Sequence, residues 1–290
     1  MKTSAESSLS TSERPLDGRR IGISISESDH LEDIGLENVN SLTVDLSRRL
    51  VSLGATVVLG HNWRHGGVME AISQFALAYK NQMGDRQRPI IINFVAHPDQ
   101  PSLSENEKKE LSSFIQNHRI TWTDHGPQIL KLLREKALLN IFEQDFSAML
   151  KTSKLEAERA RSLSALRYRL ASTCEARIVI GGRTTGYQGF MPGILEELWW
   201  SLALNKPILL STALDGVARA ATDIKSEAAQ IILQTKGHQL PGAFLKDTYQ
   251  TMIQLEASRR AQQLRVVQEL SGEALLPQLL NLLVKHRSNP

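Results

Sequence analysis

The sequence predicts an α/β fold, a doubly wound and mostly parallel Rossmann-like sheet with extra helices. Two observations carry this prediction. Short runs of aliphatic and β-branched residues, such as GATVVLG and RPIIINFV, are continuously apolar, which is typical of parallel strands covered on both faces. Segments with apolar residues at a helical period separate these runs, and such alternation indicates helices packed on a parallel sheet.

The predicted elements follow in chain order. Strands are predicted from β-branched content between breakers, and the one at 120–123 has the weakest pattern. The predicted strands are 20–26, 56–60, 89–95, 120–123, 177–180 and 207–211. The predicted helices are 39–53, 67–79, 103–117, 126–150, 154–174, 193–204, 215–227, 242–264 and 272–284.

The chain has 290 residues, enough for one large domain or two small ones. We expect a disordered leader at 1–17, because this segment is polar and lacks the apolar core of a secretory signal. A Rossmann-like domain is predicted over 18–235, with a helical insertion at about 126–174. Residues 236–290 are predicted to form a helical extension that packs on this domain.

Composition excludes several classes of protein. The net charge of +3 is mild, opposite charges are mixed along the chain and aromatic residues make up only 5%, so a nucleic-acid partner is not expected. No apolar run approaches the roughly 20 residues of a membrane helix, so no membrane partner is predicted. A single cysteine, Cys174, excludes an intramolecular disulfide and favours a cytoplasmic location.

The most informative stretch is RIVIGGRTTGYQGFMPGILEE at 177–197, in which a predicted strand runs into glycines and then into a helix. Such an arrangement is how α/β proteins hold a phosphate or a ribose, because backbone N–H groups approach an anion closely where no Cβ intervenes. Proline at the start of the helix costs no hydrogen bond. The glycines predicted to bind a ligand here are Gly181, Gly182, Gly186, Gly189 and Gly193.

Three charged residues of this stretch, Arg183, Glu196 and Glu197, are the candidate catalytic residues. The arginine could anchor a phosphate, and the carboxylates could accept ribose hydroxyls or act as acid or base at a sugar. Adjacent helical residues lie about 100° apart around the axis, so only one carboxylate can point squarely into a pocket. The open alternative is that both carboxylates merely complement the helix dipole.

The loop after the second predicted strand, GHNWRHGG at 60–67, also precedes a helix. Its predicted ligand-binding residues are Gly60, Gly66 and Gly67, with Arg64 placed for a bidentate contact to phosphate. The two histidines of the loop have no carboxylate or cysteine nearby, so no metal site is predicted.

Two further strand ends carry candidate ligand residues. Ser26 and Glu27 follow the first strand, where open α/β sheets bind ligands, although an ordinary loop with a helix cap is the alternative. Thr212 and Gly216 follow the strand at 207–211, and a capped turn is the alternative there. The chain has no Walker A loop and no nucleophile elbow.

The motifs SISES at 24–28, GHNWRHGG at 60–67, IGGRTTGYQGFMPGILEE at 180–197 and KPILLSTALDGVAR at 206–219 occur in an order that resembles the SLOG superfamily. The resemblance spans roughly residues 19–225 and is most specific at 178–197. That superfamily contains the lonely-guy phosphoribohydrolases, the DNA-processing SMF proteins and sensor domains found beside TIR and sirtuin effectors. The resemblance implies a Rossmann-like fold and a nucleotide-type ligand.

Lonely-guy enzymes cleave the N-glycosidic bond of a nucleoside monophosphate with an arginine and a P-G-G-x-G-T-x-x-E loop. Gly193 and Glu197 resemble the later glycine and the glutamate of that loop, and Arg183 is matched to the arginine. The chain departs from the pattern because Ile194 fills the threonine position and the leading Pro-Gly-Gly is missing. These departures favour binding over hydrolysis and place the chain closer to the sensor-like branch.

The resemblance therefore implies a protein that binds a nucleotide or an ADP-ribose-like derivative as a signal sensor in a defence system. The alternative is a nucleoside-monophosphate phosphoribohydrolase or a related N-glycosidase. No cofactor is predicted. The long helices at 126–174 and the leucine-rich C-terminus predict a homo-oligomer, at least a dimer, and the resemblance allows for an effector protein as a further partner.

Overall fold

The computed structural model describes residues 14–26, 36–60, 67–83, 88–99, 105–235, 237–258 and 263–287. Within them, seven strands form one parallel sheet. The strands are β1 (Arg20–Ser26), β2 (Thr56–Leu59), β3 (Ile91–Ala96), β4 (Ile115–Ile120), β5 (Ala176–Gly181), β6 (Ile208–Ser211) and β7 (Leu264–Val267). Their order is β4-β3-β2-β1-β5-β6-β7, so the winding reverses between β1 and β5. The predicted doubly wound, Rossmann-like fold is confirmed.

Helices cover both faces of the sheet. They are α1 (Leu36–Ser52), α2 (Val68–Met83), α3 (Glu105–Leu111), α4 (Trp122–Glu135), α5 (Leu139–Thr152), α6 (Lys154–Thr173), α7 (Gly193–Ala203), α8 (Gly216–Thr222), α9 (Glu227–Leu233), α10 (Leu240–Ala257) and α11 (Gly272–Arg287). Helices α1, α2, α3 and α11 share one hydrophobic core with the sheet, and α4 to α10 share the other. No helix in this described part is both long and apolar enough to cross a membrane.

Alternate residues of a strand pack into the two hydrophobic cores, because successive side chains of a strand point to opposite faces of the sheet. On β1, Ile21, Ile23 and Ile25 enter the core beneath α1 and α2. The opposite face of β1 carries small or polar residues at 22, 24 and 26, and α6 and α7 lie against this strand. The sheet is therefore thinly covered at β1 on one face, which leaves space for a cleft.

The strand predicted at 120–123 is wrong in position, since β4 ends at Ile120 and α4 begins at Trp122. Thr121 and Asp124 form a capping box at that helix start. The predicted helix 103–117 is correspondingly too long, because α3 ends at Leu111. Four consecutive residues of β4 are exposed, so this edge strand lacks the apolar run on which the prediction depended.

The C-terminal region differs from the predicted helical extension in one respect. The predicted helix 242–264 ends at Ala257, and β7 then pairs with β6 as the last strand of the sheet.

Two helices predicted elsewhere in the chain are each divided in the structure. The predicted helix 126–150 is two helices, which meet at a turn where Ala137 has a φ of 56°. The predicted helix 215–227 is also two helices, α8 and α9.

The region that was predicted as a helical insertion lies between β4 and β5. Its last helix, α6, packs against β3 and α7, so it forms part of the layer that covers the sheet. Of the predicted leader, residues 1–13 lie outside the described residues. Leu16 is buried in the core and its N–H donates to the Leu53 carbonyl at 3.0 Å, so this part of the predicted leader packs on the folded domain.

Candidate functional site

A cleft of about 450 Å³ lies at the carboxyl end of β1 and beside the loop that follows β5, where the winding of the sheet reverses. Open α/β sheets bind ligands at such switch points, because the chain leaves the two neighbouring strands in opposite directions. The walls come from β1, from α1, from α6, from the loop at 183–188 and from the first turns of α7. The structure brings six of the predicted site residues into this lining, and these are Ser26, Gly60, Arg183, Gly186, Gly193 and Glu197.

Three predicted site residues, Glu27, Arg64 and Gly66, lie outside the described residues. Gly67 is described and precedes α2, whose first residue, Val68, lines the cleft. The Gly67 carbonyl accepts a hydrogen bond from the N–H of Glu70 at 3.1 Å, so Gly67 begins the first turn of that helix.

Gly181 and Gly182 do not line the cleft, although they were predicted to hold phosphate. The Gly182 N–H donates to the Ser26 carbonyl at 3.3 Å, and its carbonyl accepts from Val217 at 2.9 Å. A Cβ on Gly182 would lie 2.8 Å from the Val217 Cβ, and the φ of 114° also favours glycine. These two glycines therefore serve the close approach of β1, β5 and α8, and their backbone is already hydrogen-bonded.

Gly189, Thr212 and Gly216 are also absent from the cleft lining. Thr212 instead ties two strands together, since its N–H and its hydroxyl both donate to the Val267 carbonyl, at 3.0 and 3.2 Å. Gly216 is buried with a φ of 63° at the start of α8. The Asp215 N–H donates to the Thr212 carbonyl at 3.2 Å, so a turn follows this strand, but Asp215 makes no side-chain cap at the start of α8.

The carboxylates of Glu196 and Glu197 point in different directions from α7, as expected for adjacent residues of a helix. Glu196 is buried, with 1% of the residue exposed, and its Oε2 accepts a hydrogen bond from Arg167 Nη1 at 2.6 Å. Trp200 Nε1 lies 3.4 Å from the other oxygen of Glu196. The Glu196 carboxylate therefore faces the interior, whereas Glu197 lines the cleft, and a catalytic role for Glu196 stays a prediction that this placement does not favour.

Arg167 lines the cleft from α6 and was not predicted. Its Nη1 is paired with Glu196, and its Nη2 donates to the Gln188 carbonyl at 3.1 Å, so it joins the helix layer to the loop. The surrounding sequence, KLEAERARSLSALRYR at 154–169, mixes opposite charges, which is typical of a solvated helical face. The sequence nevertheless contains one indication that Arg167 faces the interior. It is four residues after Leu163 and three before Leu170, which places it on the apolar side of the helix.

Glu197 is held by two groups beneath the cleft. Its Oε2 accepts from the Ser24 hydroxyl at 2.5 Å and from Arg177 Nη1 at 2.9 Å. Arg177 Nη1 also donates to Ser24 Oγ at 2.6 Å. Ser24 lines the cleft, while Arg177 is fully buried on β5. Burial raises the pKa of the neighbouring Cys174 thiol, which keeps this cysteine neutral.

The first turn of α7 faces the cleft through Gly193 and Ile194. The first N–H groups of a helix have no acceptor within it, and the helix dipole adds partial positive charge at this end. Arg167 and Arg183 also line the cleft. Arg167 is paired with Glu196 and Glu197 is paired with Arg177, so the helix end and Arg183 are the elements of the lining that favour an anion. In the described part of the chain, no group of three His, Cys, Asp or Glu residues is placed to hold a metal ion.

Comparison with known proteins identifies the family. The sequence profile described as SLOG cluster2 matches residues 15–285, which extends past the segment to which the resemblance was traced. No protein of curated function matches the chain. The X-ray structure of TM1055, a Northeast Structural Genomics Consortium target, is similar at 13% identity and a TM-score of 0.42, over 90% of this chain and 98% of that one. The profile match alone shows that this chain belongs to the SLOG cluster2 family, a group of nucleotide-related Rossmann-like domains.

Proposed function

We propose that this protein binds a nucleotide or an ADP-ribose-like nucleotide derivative in the cleft at the carboxyl end of β1. The observation that carries the proposal is the convergence of a helix N-terminus, Arg183 and Glu197 on one cavity at the switch point of the sheet. A helix N-terminus and an arginine bind phosphate, and a carboxylate accepts hydrogen bonds from sugar hydroxyls. Membership of the SLOG cluster2 family supports the same class of ligand.

The phosphate end of the ligand would lie at the first turn of α7. Gly193 has no side chain, and a Cβ at this position would lie only 2.9 Å from Arg167 Nη2. The glycine therefore allows the Arg167 guanidinium to lie close to this turn. Arg183 is exposed and lines the same cleft. We infer that Arg183 contacts the phosphate directly.

The remaining walls suit a base and a sugar. Leu163 and Leu166 of α6 and Val68 of α2 provide apolar surface against which a base can lie. Asn40, Thr43 and Tyr187 supply polar groups in the same lining. A pocket with apolar walls and a few polar groups is typical of a small-molecule site. The cavity of about 450 Å³ has the size of such sites, which span roughly 300–1,000 Å³.

The first prediction concerns Arg183→Ala. If Arg183 binds phosphate, its removal should weaken nucleotide binding by about 10-fold or more, since one charge-assisted contact is lost. A panel of nucleoside mono- and diphosphates, NAD and ADP-ribose, measured by thermal shift and then by calorimetry, checks this. The matched control is Arg134→Ala, because Arg134 is an exposed arginine on α4 that does not line the cleft.

Two outcomes would contradict the proposal. One is a wild-type protein that gains no thermal stability from any member of the panel. The other is binding that Arg183→Ala and Arg134→Ala leave equally strong, which would move the phosphate away from Arg183. Both variants replace exposed side chains, so neither is expected to change the melting temperature of the unliganded protein by more than a degree or so.

A second candidate function, N-glycosidic cleavage of a nucleotide, is favoured by the position of Glu197. Its carboxylate lines the cleft near the anion-binding elements, where it could stabilise positive charge developing on the ribosyl carbon. The second prediction is that an enzyme would release free base from nucleoside monophosphates or NAD, and that Glu197→Gln would lower this rate by about 100-fold or more.

Chromatography of the free base measures this rate. Glu196→Gln is the comparison, because its carboxylate is paired with Arg167 in the interior. Base release that survives Glu197→Gln would remove this residue from the mechanism. Binding without any release would leave the protein as a sensor, the role in a defence system that we propose from the family resemblance, with an effector protein as its partner.

A further inference from the structure

Arg177 is the most unusual side chain near the cleft. It lies within β5, all six residues of which are buried, and none of its own surface is exposed. Strands buried on both faces ordinarily consist of Val, Ile and Leu. A cation at this position is therefore a departure that the fold itself does not require.

The neighbouring strand is shaped to admit this side chain. Gly22 of β1 pairs in register with Arg177, and a Cβ on Gly22 would lie 2.6 Å from the Cys174 Sγ and 3.1 Å from the Arg177 Cζ. Ser24 lies two residues further along the same face of β1, and its hydroxyl accepts a hydrogen bond from the guanidinium at 2.6 Å. On this face of β1, Gly22 therefore leaves space beside the Arg177 side chain, and Ser24 accepts a hydrogen bond from its guanidinium.

Stability does not account for the arrangement. Replacing a buried ion pair by well-packed apolar residues is often neutral or stabilising, because two charges must otherwise be removed from water. In the described part of the chain, Arg177 Nε has no hydrogen-bond partner although it is buried. A site that breaks a local packing rule without a gain in stability is where a functional constraint is expected.

The hydrogen bonds show what the arginine does to Glu197. An arginine cannot accept a hydrogen bond, so the Ser24 hydroxyl receives one from Arg177 and directs its own proton to Glu197 Oε2. Arg177 Nη1 donates to that same oxygen. Among the described residues, no group donates to Glu197 Oε1. The residue lines the cleft, and 13% of its side chain is exposed.

We propose that Arg177 and Ser24 are positioning residues that hold Glu197 by Oε2, so that Oε1 serves as the acceptor for a hydroxyl of the ligand's ribose. The ligand class is then a ribonucleotide or a ribosyl phosphate rather than a deoxyribonucleotide. This inference rests on the proposed function, because it needs a nucleotide in the cleft. It adds the residues that set the sugar preference, one of which does not line the cleft.

The third prediction tests this preference by calorimetry. The probes are AMP, GMP, CMP and UMP, and the tightest binder is compared with its 2′-deoxy and 3′-deoxy counterparts. Loss of one hydrogen bond to a charged group should weaken binding of at least one deoxy form by about 10- to 100-fold. Ser24→Ala removes one of the two groups that hold Oε2 and should reduce this ratio to about threefold or less.

Arg177→Met should reduce the ratio as Ser24→Ala does, and Arg177→Lys should restore part of it, because the lysine keeps the charge but not the planar fork of donors. Arg183→Ala serves as the matched control, since it should weaken ribo and deoxy forms equally and leave the ratio unchanged. If Arg177→Met does not fold, Ser24→Ala still decides, because it leaves the buried charge pair in place.

The outcomes separate the two proposals. A wild-type protein that binds neither the four monophosphates nor the diphosphates, NAD and ADP-ribose of the wider panel overturns the proposed function and this inference together. A wild-type protein that binds ribo and deoxy forms equally overturns the inference alone. A ratio that stays as large in Ser24→Ala as in the wild type also overturns it, because the role of Arg177 and Ser24 would then be structural only.

Discussion

At the scale of single residues, the candidate site depends on neighbours in sequence that face different surroundings. Glu196 and Glu197 differ by one position, yet one carboxylate is buried against Arg167 and the other lines the cleft. Sequence reasoning predicted that only one of them could face a pocket, because adjacent helical residues point about 100° apart. It could not choose between them, since the choice depends on where α6 and β5 place their arginines.

Arg167 and Arg177 could not be found in the same way. Arg167 lies in a charge-rich helix, where an arginine is expected to be exposed. Arg177 is the first residue of the predicted strand 177–180, where an arginine is also unremarkable. Their carboxylate partners lie 29 and 20 residues further along the chain. Only the tertiary packing of α6, β5 and α7 brings these groups together, so no local spacing in the sequence signals the pairs.

The reason why each of these positions is a glycine could be assigned only from the structure, and a fourth prediction tests one such assignment. Gly182→Ala should lower the free energy of unfolding by about 2–4 kcal/mol, from a strained positive φ and from overpacking. Its new Cβ would lie 2.8 Å from the Val217 Cβ and 2.9 Å from the Ile194 Cβ. Gly186→Ala is the matched control, because Gly186 also has a positive φ but nothing lies within 4 Å of its Cβ position.

Gly186→Ala should therefore cost only the backbone strain, about 1 kcal/mol. Urea unfolding of the two variants and the wild type measures both values. Equal losses in the two variants would show that backbone strain alone distinguishes these glycines from other residues. Gly182 would then have no special packing role between β5 and α8.

At the scale of elements, the apolar strands were predictable and the sheet edges were not. Strands β1, β2, β5 and β6 are buried nearly throughout, so their sequences show the continuous apolar runs from which they were predicted. The edge strands β4 and β7 carry exposed residues, such as Arg119 and Arg265, and lack such runs. An edge strand pairs on one side only, and its sequence is therefore less constrained.

Helix α10 shows how one element can depend on another for its start. Its N-cap residue, Gln239, makes no side-chain cap. Asp145 of α5 supplies it instead, since its carboxylate accepts from the N–H groups of Gln239 at 3.2 Å and Leu240 at 2.9 Å. Asp145 is 4% exposed, so these hydrogen bonds are shielded from water.

The fifth prediction is that Asp145→Ala lowers the free energy of unfolding by about 2–4 kcal/mol, because two backbone donors at α10 lose a charged acceptor. The comparison is Asp124→Ala, which removes the exposed side of the α4 capping box and should cost about 0.5–1 kcal/mol. Thermal or urea unfolding measures both. A smaller effect at Asp145 than at Asp124 would contradict the role assigned to the buried cap.

At the scale of the whole molecule, the sequence predicted the fold class and the end of the sheet at which the cleft lies. The alternation of elements sufficed for this, because parallel strands joined by helices can only be wound in a few ways. The strand order itself was not predicted. The order makes β1 and β5 neighbours, and it is this pairing that brings Ser26 and the loop after β5 to one cleft.

The family assignment extends the match through α10 and β7, elements that the motifs alone did not reach. Those elements complete the sheet and cover one face of it, so they belong to the same structural unit as the cleft. The homo-oligomer and the effector partner stay predictions, since they concern surfaces beyond a single copy of the chain.

The start of α7 imposes a limit on how this site can vary in evolution. From Pro192 onward, each further residue turns the helix, and Glu197 reaches the cleft only because of its count from that proline. Deleting a single residue between them would put the acid where Glu196 now lies, against Arg167 and Trp200, and would bring Leu198 to the cleft in its place. Homologues that keep the pocket should therefore tolerate changes of identity in this first turn more readily than the loss of a residue.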